Sequence, residues 1–117
     1  MGRVVHFEIP TDNPDKAQDF FKNVFGWTYQ SYGEMEYWLV NSGDGELPGI
    51  NGAITKKQHL FQNVINTINI DNLEQTIELI KKNGGEIASE IMEIPNVGRV
   101  AYFKDLDGNV HGILQGV

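Results

Sequence analysis

The stretch Val5-His6-Phe7-Glu8-Ile9, which is followed by Asp12-Asn13, decides the fold because a similar stretch occurs a second time. In the second half of the chain, Val64-Ile65-Asn66-Thr67-Ile68 is followed by Asp71-Asn72. The first stretch has the alternating pattern of a half-buried strand, and the second is less regular, with Ile68 and Ile70 alternating with Thr67 and Asn69. An internal repeat of this kind indicates two copies of one structural module.

Both predicted helices have a recognisable start and end. Asn13, before Pro14, can cap the first free amide groups of a helix, and Asn72 or Asp71 can do so in the second copy. Gly26 ends the first helix, and Gly84-Gly85 ends the second. Apolar residues at helical spacing predict one buried stripe on each helix: Ala17, Phe20, Phe21 and Val24 on the first, and Leu73, Ile77 and Ile80 on the second, where Thr76 fills the stripe.

Three strands are predicted after each helix. Their approximate ranges are 27–32, 35–41 and 50–55 in the first copy, and 86–93, 99–104 and 110–115 in the second. One helix covers only one face of its sheet, so the other face must meet the second module or a ligand. We therefore predict an α/β (α+β) fold of two βαβββ modules, which form a curved mixed sheet around a central cavity.

Length and composition favour one soluble domain over residues 1–117. Module one is predicted at about 3–55, a linker at about 56–62 and module two at about 63–116. The net charge of −7, with nine basic and sixteen acidic residues, counts against a nucleic-acid partner. Cysteine is absent, and no apolar run is long enough to cross a membrane. The strand pattern begins at once, without room for a signal peptide, so we expect a cytoplasmic protein.

Three segments resemble the vicinal oxygen chelate superfamily, which includes glyoxalases, bleomycin resistance proteins and extradiol dioxygenases. Val4-Val5-His6-Phe7-Glu8-Ile9-Pro10, together with Pro14-Asp15-Lys16-Ala17 and Phe25-Gly26-Trp27, resembles the opening of such a module. Ala101-Tyr102-Phe103-Lys104-Asp105-Leu106-Asp107-Gly108-Asn109 resembles the closing hairpin. The resemblance spans nearly the whole chain and implies the paired-module fold.

The resemblance also implies a divalent metal, such as Zn, Ni, Fe or Mn, held by side chains from the first and last strands of both modules. His6 matches the first of these positions, but the other three fall on Ile65, Gly112 and approximately Gly52. One histidine does not hold a metal against water. We therefore predict no metal or other cofactor. The alternative is a displaced site made of His6, Glu8 and His111.

His6 and Glu8 are the predicted catalytic pair, since a carboxylate beside an imidazole can raise its pKa and fix its tautomer. The alternative is a hydrogen-bonded pair that only fixes how the modules dock. Six residues are predicted to bind a ligand: Tyr37, Trp38, Gly52, Arg99, Tyr102 and Gly112. Tyr37 or Trp38 would stack on a flat ligand, although core packing also explains these aromatics.

Glycines inside strands mark a close approach by a ligand or by other protein atoms, which leaves two interpretations of Gly52 and Gly112. Arg99 would anchor an anionic ligand or form a surface salt bridge. The resulting hypothesis is a small-molecule-binding protein without the usual metal. The alternatives are a metal-dependent lyase of the lactoylglutathione lyase kind, a dioxygenase with displaced ligands, and an interaction module. Whether the protein is an enzyme stays open, and a homodimer is expected from exposed sheet edges and from the superfamily's habit.

Overall fold

The computed structural model describes residues 2–59 and 61–117. The chain divides into two compact units. The N-terminal unit comprises His6–Val64, and the C-terminal unit comprises Ile65–Val117 together with the start of the chain as far as Val5.

The N-terminal unit is a four-stranded mixed sheet with one helix. Its elements are β1 (Arg3–Thr11), α1 (Pro14–Phe25), β2 (Thr28–Ser31), β3 (Tyr37–Asn41) and β4 (Gly52–Lys56), of which β1 starts before the unit does. The strand order is β2-β3-β4-β1, with β1 parallel to β4 and the other neighbours antiparallel. The parallel pair is made possible by the helical crossover.

Local signals fix the ends of α1 as the sequence predicts. The Asn13 side chain accepts a hydrogen bond from the Lys16 amide, Pro14 is the first helical residue, and Gly26 adopts a left-handed conformation at φ 76°. Gly26 also donates its amide to the Lys22 carbonyl, so the last turn is closed by a backbone bond.

The stripe predicted on α1 is only half right. Phe21 packs its ring on Trp27, at a centroid distance of 4.6 Å and an interplanar angle of 9°. Phe20 and Val24, which were predicted to be buried, are 57% and 56% exposed. The helix is rotated so that Ala17 and Phe21 are more covered than Phe20 and Val24. The four apolar positions span a wider arc than the sheet covers.

The C-terminal unit has one helix and five strands. Its elements are β5 (Ile65–Asn69), α2 (Leu73–Lys82), β6 (Glu86–Ile87), β7 (Met92–Ile94), β8 (Gly98–Lys104) and β9 (Val110–Gly116). β5 is parallel to β9, β9 is antiparallel to β8, and β6 and β7 both pair with β8. Leu73, Ala101 and Ile113 form its core, against which Ile77, Ile80 and Phe103 pack. The stripe predicted on α2 therefore faces this sheet.

The strand predicted at about 86–93 is interrupted, and the structure has the short strands β6 and β7 in its place. At the interruption, the Ala88 amide still donates to the Tyr102 carbonyl, but the Tyr102 amide donates to the Ser89 hydroxyl. A side chain thus replaces a backbone carbonyl in the ladder, and the strand leaves its register there.

The predicted α/β fold of two βαβββ modules is confirmed, with the β6–β7 break as a local departure in the second module. In the part of the chain that the structure describes, neither α1 nor α2 has the length and apolar character of a membrane-crossing helix.

Candidate functional site

Alternation along β1 gives the N-terminal sheet two different sides. Phe7 lies 5.6 Å from Trp27, centroid to centroid, and Trp27 stacks on Phe21 of α1, so Phe7 lies on the helix side of the sheet. Successive strand residues point to opposite faces. The other side, which we call the His6 face, therefore carries His6, Glu8, Tyr37, Leu39, Ala53 and Thr55, as the strand register requires.

A hydrogen bond joins the two ends of the His6 face. The Nε2 atom of His6 lies 2.8 Å from the hydroxyl oxygen of Tyr37. The two rings are nearly parallel, with an interplanar angle of 14° and a centroid distance of 6.4 Å. Tyr32 meets Tyr37 edge to face at 6.1 Å. Both geometries are favourable for aromatic pairs, so the position of the Tyr37 ring is well defined.

The register shows how Tyr37 reaches His6. Glu8, Ala53 and Leu39 form one row across the sheet, because Ala53 pairs with both of the others. Tyr37 pairs with Thr55 on one side of that row, whereas His6 precedes Glu8 on the other side. The bond between His6 and Tyr37 therefore spans this row, in which Ala53 contributes the smallest side chain.

Burial and charge act in opposite directions on His6. Burial is the larger effect and lowers the pKa of His6, while the nearby Glu8 carboxylate raises it. The net effect is a pKa below the ordinary value, so the imidazole is neutral at pH 7. Glu8 itself is only 4% exposed. The site thus combines a buried carboxylate with a neutral imidazole that can either donate or accept a hydrogen bond.

The structure separates Trp38 and Gly52 from this face. Trp38 pairs with Ile54, and Gly52 pairs with Phe7, on the side of the sheet that carries α1. A methyl group at position 52 would lie 2.4 Å from the Phe7 carbonyl oxygen and 2.5 Å from its ring. Close packing by Phe7 accounts for this glycine, which is the approach by other protein atoms that the sequence left as one of two interpretations.

The remaining predicted ligand-binding residues belong to the C-terminal unit. Arg99 forms a two-pronged ion pair with Glu74, whose carboxylate pKa is lowered by the guanidinium. Tyr102 is buried, and its ring lies over Gly112, where a methyl group would come within 3.2 Å of it. Arg99 therefore forms a salt bridge, which is one of the two alternatives that the sequence left open. Gly112 has the Tyr102 ring as a close neighbour.

His111 has a local role in the hairpin between β8 and β9. Its Nε2 atom lies 2.9 Å from Oδ2 of Asp105, and its ring stacks on Phe103 at 5.2 Å. Asp105 also accepts hydrogen bonds from the Asp107 amide and from Asn109. Phe103 packs against the core beneath α2, so His111 lies on the helix side of its own sheet.

The residues do not fit the divalent metal that the fold family implies. Of the four family positions, Ile65 is apolar and 1% exposed, while Gly52 and Gly112 have no side chain. His6 is the only ligating group among them, and its Nε2 atom is bonded to Tyr37. Within residues 2–59 and 61–117, no three His, Cys, Asp or Glu side chains converge as metal ligands.

Three members of the His6 face were missed in the sequence. Leu39, Ala53 and Thr55 lie on it, and Thr55 is 3% exposed and donates its hydroxyl to the Glu36 carbonyl. These residues alternate with Trp38, Ile54 and Lys56 along their strands. The alternation would have placed them on the His6 face if the pairing of β3 with β4 had been known.

The two βαβββ units and the polar His6 face define an α/β protein built from paired modules. A sequence model of the Glyoxalase/Bleomycin resistance protein/Dioxygenase superfamily matches residues 3–112. The chain therefore belongs to this superfamily, as its resemblance implied.

Known relatives agree with this assignment. A glyoxylase-like domain-containing protein of Didymella fabae is 28% identical over 118 residues, which cover 96% of this chain and 92% of the relative. The putative glyoxylase CFP32 of Mycobacterium bovis is 26% identical over 121 residues, which cover 97% of this chain but 44% of that protein. This chain thus spans less than half the length of the second relative.

The fold is also found among solved structures. The crystal structure of methylmalonyl-CoA epimerase from Mycobacterium tuberculosis matches with a TM-score of 0.68, covering 97% of this chain and 87% of that chain. The sequence identity is 10%, so this likeness concerns the fold alone.

Proposed function

We propose that the protein binds a small organic molecule at the His6 face and does so without a metal centre. The observation that carries this proposal is the bond between His6 Nε2 and the Tyr37 hydroxyl. His6 is the one family ligand position that keeps a ligating side chain, and that side chain is engaged with a tyrosine. The same bond builds a site of another kind, in which an imidazole, a phenol and a carboxylate lie on one sheet face.

The chemistry of this face suits recognition of a ligand with both a flat ring and polar groups. Tyr32 and Tyr37 offer aromatic surface, and His6 and Glu8 offer hydrogen-bonding groups in a largely buried setting. Ligand sites commonly combine apolar walls with a few well-placed polar groups. A ligand that bonds His6 or Tyr37 would replace the bond that these two residues make with each other.

The alternative is a metal-dependent lyase or dioxygenase with displaced ligands. The names of the relatives favour it, since two of them are described as glyoxylase-like or putative glyoxylase. His6 and Glu8 are side chains of the right chemical type, and they lie two residues apart on one strand. In this alternative, a metal would have to displace the Tyr37 hydroxyl from His6.

Metal content separates the two proposals. We would purify untagged protein without chelator and measure Zn, Ni, Fe and Mn by plasma mass spectrometry, for the wild type, His6→Ala and the exposed control His59→Ala. We expect well under one metal per chain, unchanged in both variants. About one metal per chain, lost in His6→Ala but kept in His59→Ala, would overturn the metal-free proposal and support the lyase or dioxygenase.

The homodimer and the cytoplasmic location expected from the sequence stay predictions. Light scattering coupled to size-exclusion chromatography measures the first, and a monomer mass at micromolar concentration would contradict it. Cell fractionation measures the second.

A further inference from the structure

Asparagine is followed directly by glycine twice in the chain, as Asn51-Gly52 and as Asn83-Gly84. Because glycine has no side chain, its backbone nitrogen can approach the side-chain amide carbon of the preceding asparagine without steric hindrance. In such a pair the nitrogen can displace ammonia and close a cyclic imide, which water then opens. Ring closure requires the backbone and the side chain to rotate together, so the folded surroundings of each pair determine how often the reacting atoms meet.

The first pair is held firmly by its surroundings. The Asn51 side-chain oxygen accepts a hydrogen bond from the Ser42 backbone amide at 2.9 Å and lies 3.3 Å from the Ser42 hydroxyl, which also donates to it. Gly52 is buried and begins β4, which lies between β3 and β1. It pairs there with Val40 and with Phe7. For the Gly52 nitrogen to reach the Asn51 side chain, an interior strand must separate from both of its neighbours.

The second pair lies at the exposed end of α2. Asn83 and Gly84 follow the last helical residue, and both are exposed. The Asn83 side-chain nitrogen donates to the Leu79 carbonyl at 2.8 Å, and the Gly84 amide donates to the Lys81 carbonyl at 3.2 Å. Both of these acceptors belong to α2 itself, and helix ends fray. The Asn83 backbone can therefore rotate when the end of the helix unwinds, without the separation of any strand.

We propose that Asn83 is a site of spontaneous deamidation and that the fold protects Asn51 from the same reaction. The Gly84 nitrogen forms a bond to the Cγ atom of Asn83 while the bond from Cγ to the side-chain nitrogen breaks, and ammonia leaves. Water then cleaves the ring at one of its two carbonyls. Cleavage at one carbonyl leaves aspartate at position 83, and cleavage at the other leaves isoaspartate.

Either product weakens the end of α2. A carboxylate cannot donate the hydrogen bond that the Leu79 carbonyl now accepts from Asn83, and it places negative charge at the negative end of the helix dipole. Isoaspartate also lengthens the backbone between positions 83 and 84, which displaces the Gly85 amide from the Ile80 carbonyl that it contacts at 2.8 Å. Ile80 packs against the core of the C-terminal unit, so the damage extends beyond the surface.

Peptide mapping by mass spectrometry tests the proposal on the full chain. The protein would be incubated at mildly alkaline pH, folded and in parallel unfolded in urea, and the mass gained when an amide becomes a carboxyl would be followed at each asparagine. In the folded protein we expect Asn83 to react at least about tenfold faster than Asn51, which corresponds to about 1.4 kcal/mol in the free energy of opening. In urea the two rates should be similar. Equal rates in the folded protein, or a faster rate at Asn51, would overturn the proposal.

Two variants and one exchange measurement test its physical basis. Asn83→Asp reproduces one product and should lower the Tm relative to Asn83→Gln, which stays neutral and keeps a donor. Equal Tm values would contradict the weakening of α2. Hydrogen exchange of the wild type should show stronger protection of the Gly52 amide than of the Gly84 amide. Equal protection of the two amides would contradict the difference in opening on which the proposal rests.

Discussion

His6 is a histidine whose pKa is lowered mainly by burial, and this has a consequence for stability. An unfolded histidine has a pKa of about 6.5. Because the folded pKa is lower, the unfolded state binds more protons in acid, and the native state loses stability as the pH falls below the unfolded value. We predict that the urea midpoint decreases between pH 7.5 and 5.5, and that His6→Gln shows a smaller decrease.

His59 provides the control for this prediction, because it is exposed and lies in the connection between β4 and β5. His59→Gln should show the same pH dependence as the wild type. A decrease that is identical in His6→Gln and the wild type would mean that other groups determine the acid sensitivity.

Gly52 and Gly112 occupy corresponding strands of the two modules but differ in how tightly they are packed. A methyl group at position 52 would meet Phe7 at 2.4–2.5 Å, and one at position 112 would meet Thr67 and Tyr102 at 3.1–3.2 Å. We predict that Gly52→Ala lowers the free energy of unfolding by about 1–3 kcal/mol, as overpacking does, and that Gly112→Ala lowers it less. Urea denaturation measures both, with Gly43→Ala as a control in open space. Equal losses at positions 52 and 112 would contradict the packing argument.

At the scale of a secondary-structure element, the rotation of α1 can be tested with two adjacent phenylalanines. Phe21 stacks on Trp27, whereas Phe20 is 57% exposed. We predict that Phe21→Ala costs about 2–4 kcal/mol of unfolding free energy, somewhat below the range for fully buried aromatics, and that Phe20→Ala costs less than about 1 kcal/mol. The buried stripe predicted from the sequence would instead give two similar losses. Thermal and urea unfolding of both variants distinguishes the two orientations.

The hairpin between β8 and β9 depends on Asp105. Hydrogen bonds from His111, and then from Asn109, hold the pKa of this carboxyl well below its usual range. A lowered carboxyl pKa contributes stability above the unfolded value of about 3.9, which is lost as the pH falls below it. We predict that Asp105→Asn destabilises the protein at pH 7 and that the difference from the wild type shrinks at pH 3. A difference that is the same at both pH values would show that charge is not the cause.

Helix ends and strand positions could be predicted from the sequence because they depend on neighbouring residues. Asn13 and Asn72 cap their helices through bonds to amides three residues away. The orientation of α1 depends instead on which side of the helix the sheet covers. Phe20 and Phe21 are both apolar, so the sequence does not indicate which of the two faces the sheet. The break between β6 and β7 depends on a bond between Ser89 and Tyr102. No local pattern contains such a bond.

The candidate site was predictable only in part for the same reason. Alternation along β1 placed His6 and Glu8 on one face, as the structure has them. The bond between His6 and Tyr37 joins residues 31 positions apart, and it requires the order and register of β1, β4 and β3. The sequence therefore could not choose between Tyr37 and Trp38, which the register places on opposite faces.

At the scale of the whole molecule, the two modules share an architecture but not their polar residues. The positions of His6 and Glu8 in the first copy correspond to Ile65 and Thr67 in the second. Ile65 is buried in the second module, and Thr67 lies beside Gly112. The repeat thus preserves the fold in both copies and the imidazole–carboxylate pair in one. A metal site that draws ligands from both copies requires ligating side chains in each of them.

This asymmetry leads to a prediction about the stability of the entire protein. A metal present at about a hundredfold excess over its dissociation constant stabilises the native state by about 2.7 kcal/mol. For a chain of this size, each kcal/mol corresponds to about 4 °C in Tm. We predict that dialysis against EDTA changes the Tm by less than about 1 °C, since such binding would otherwise shift it by roughly 10 °C. The same treatment of His6→Ala should give the same null result. A fall of several degrees in the wild type, restored by Zn²⁺ and absent in His6→Ala, would place a metal at His6 and contradict the metal-free site.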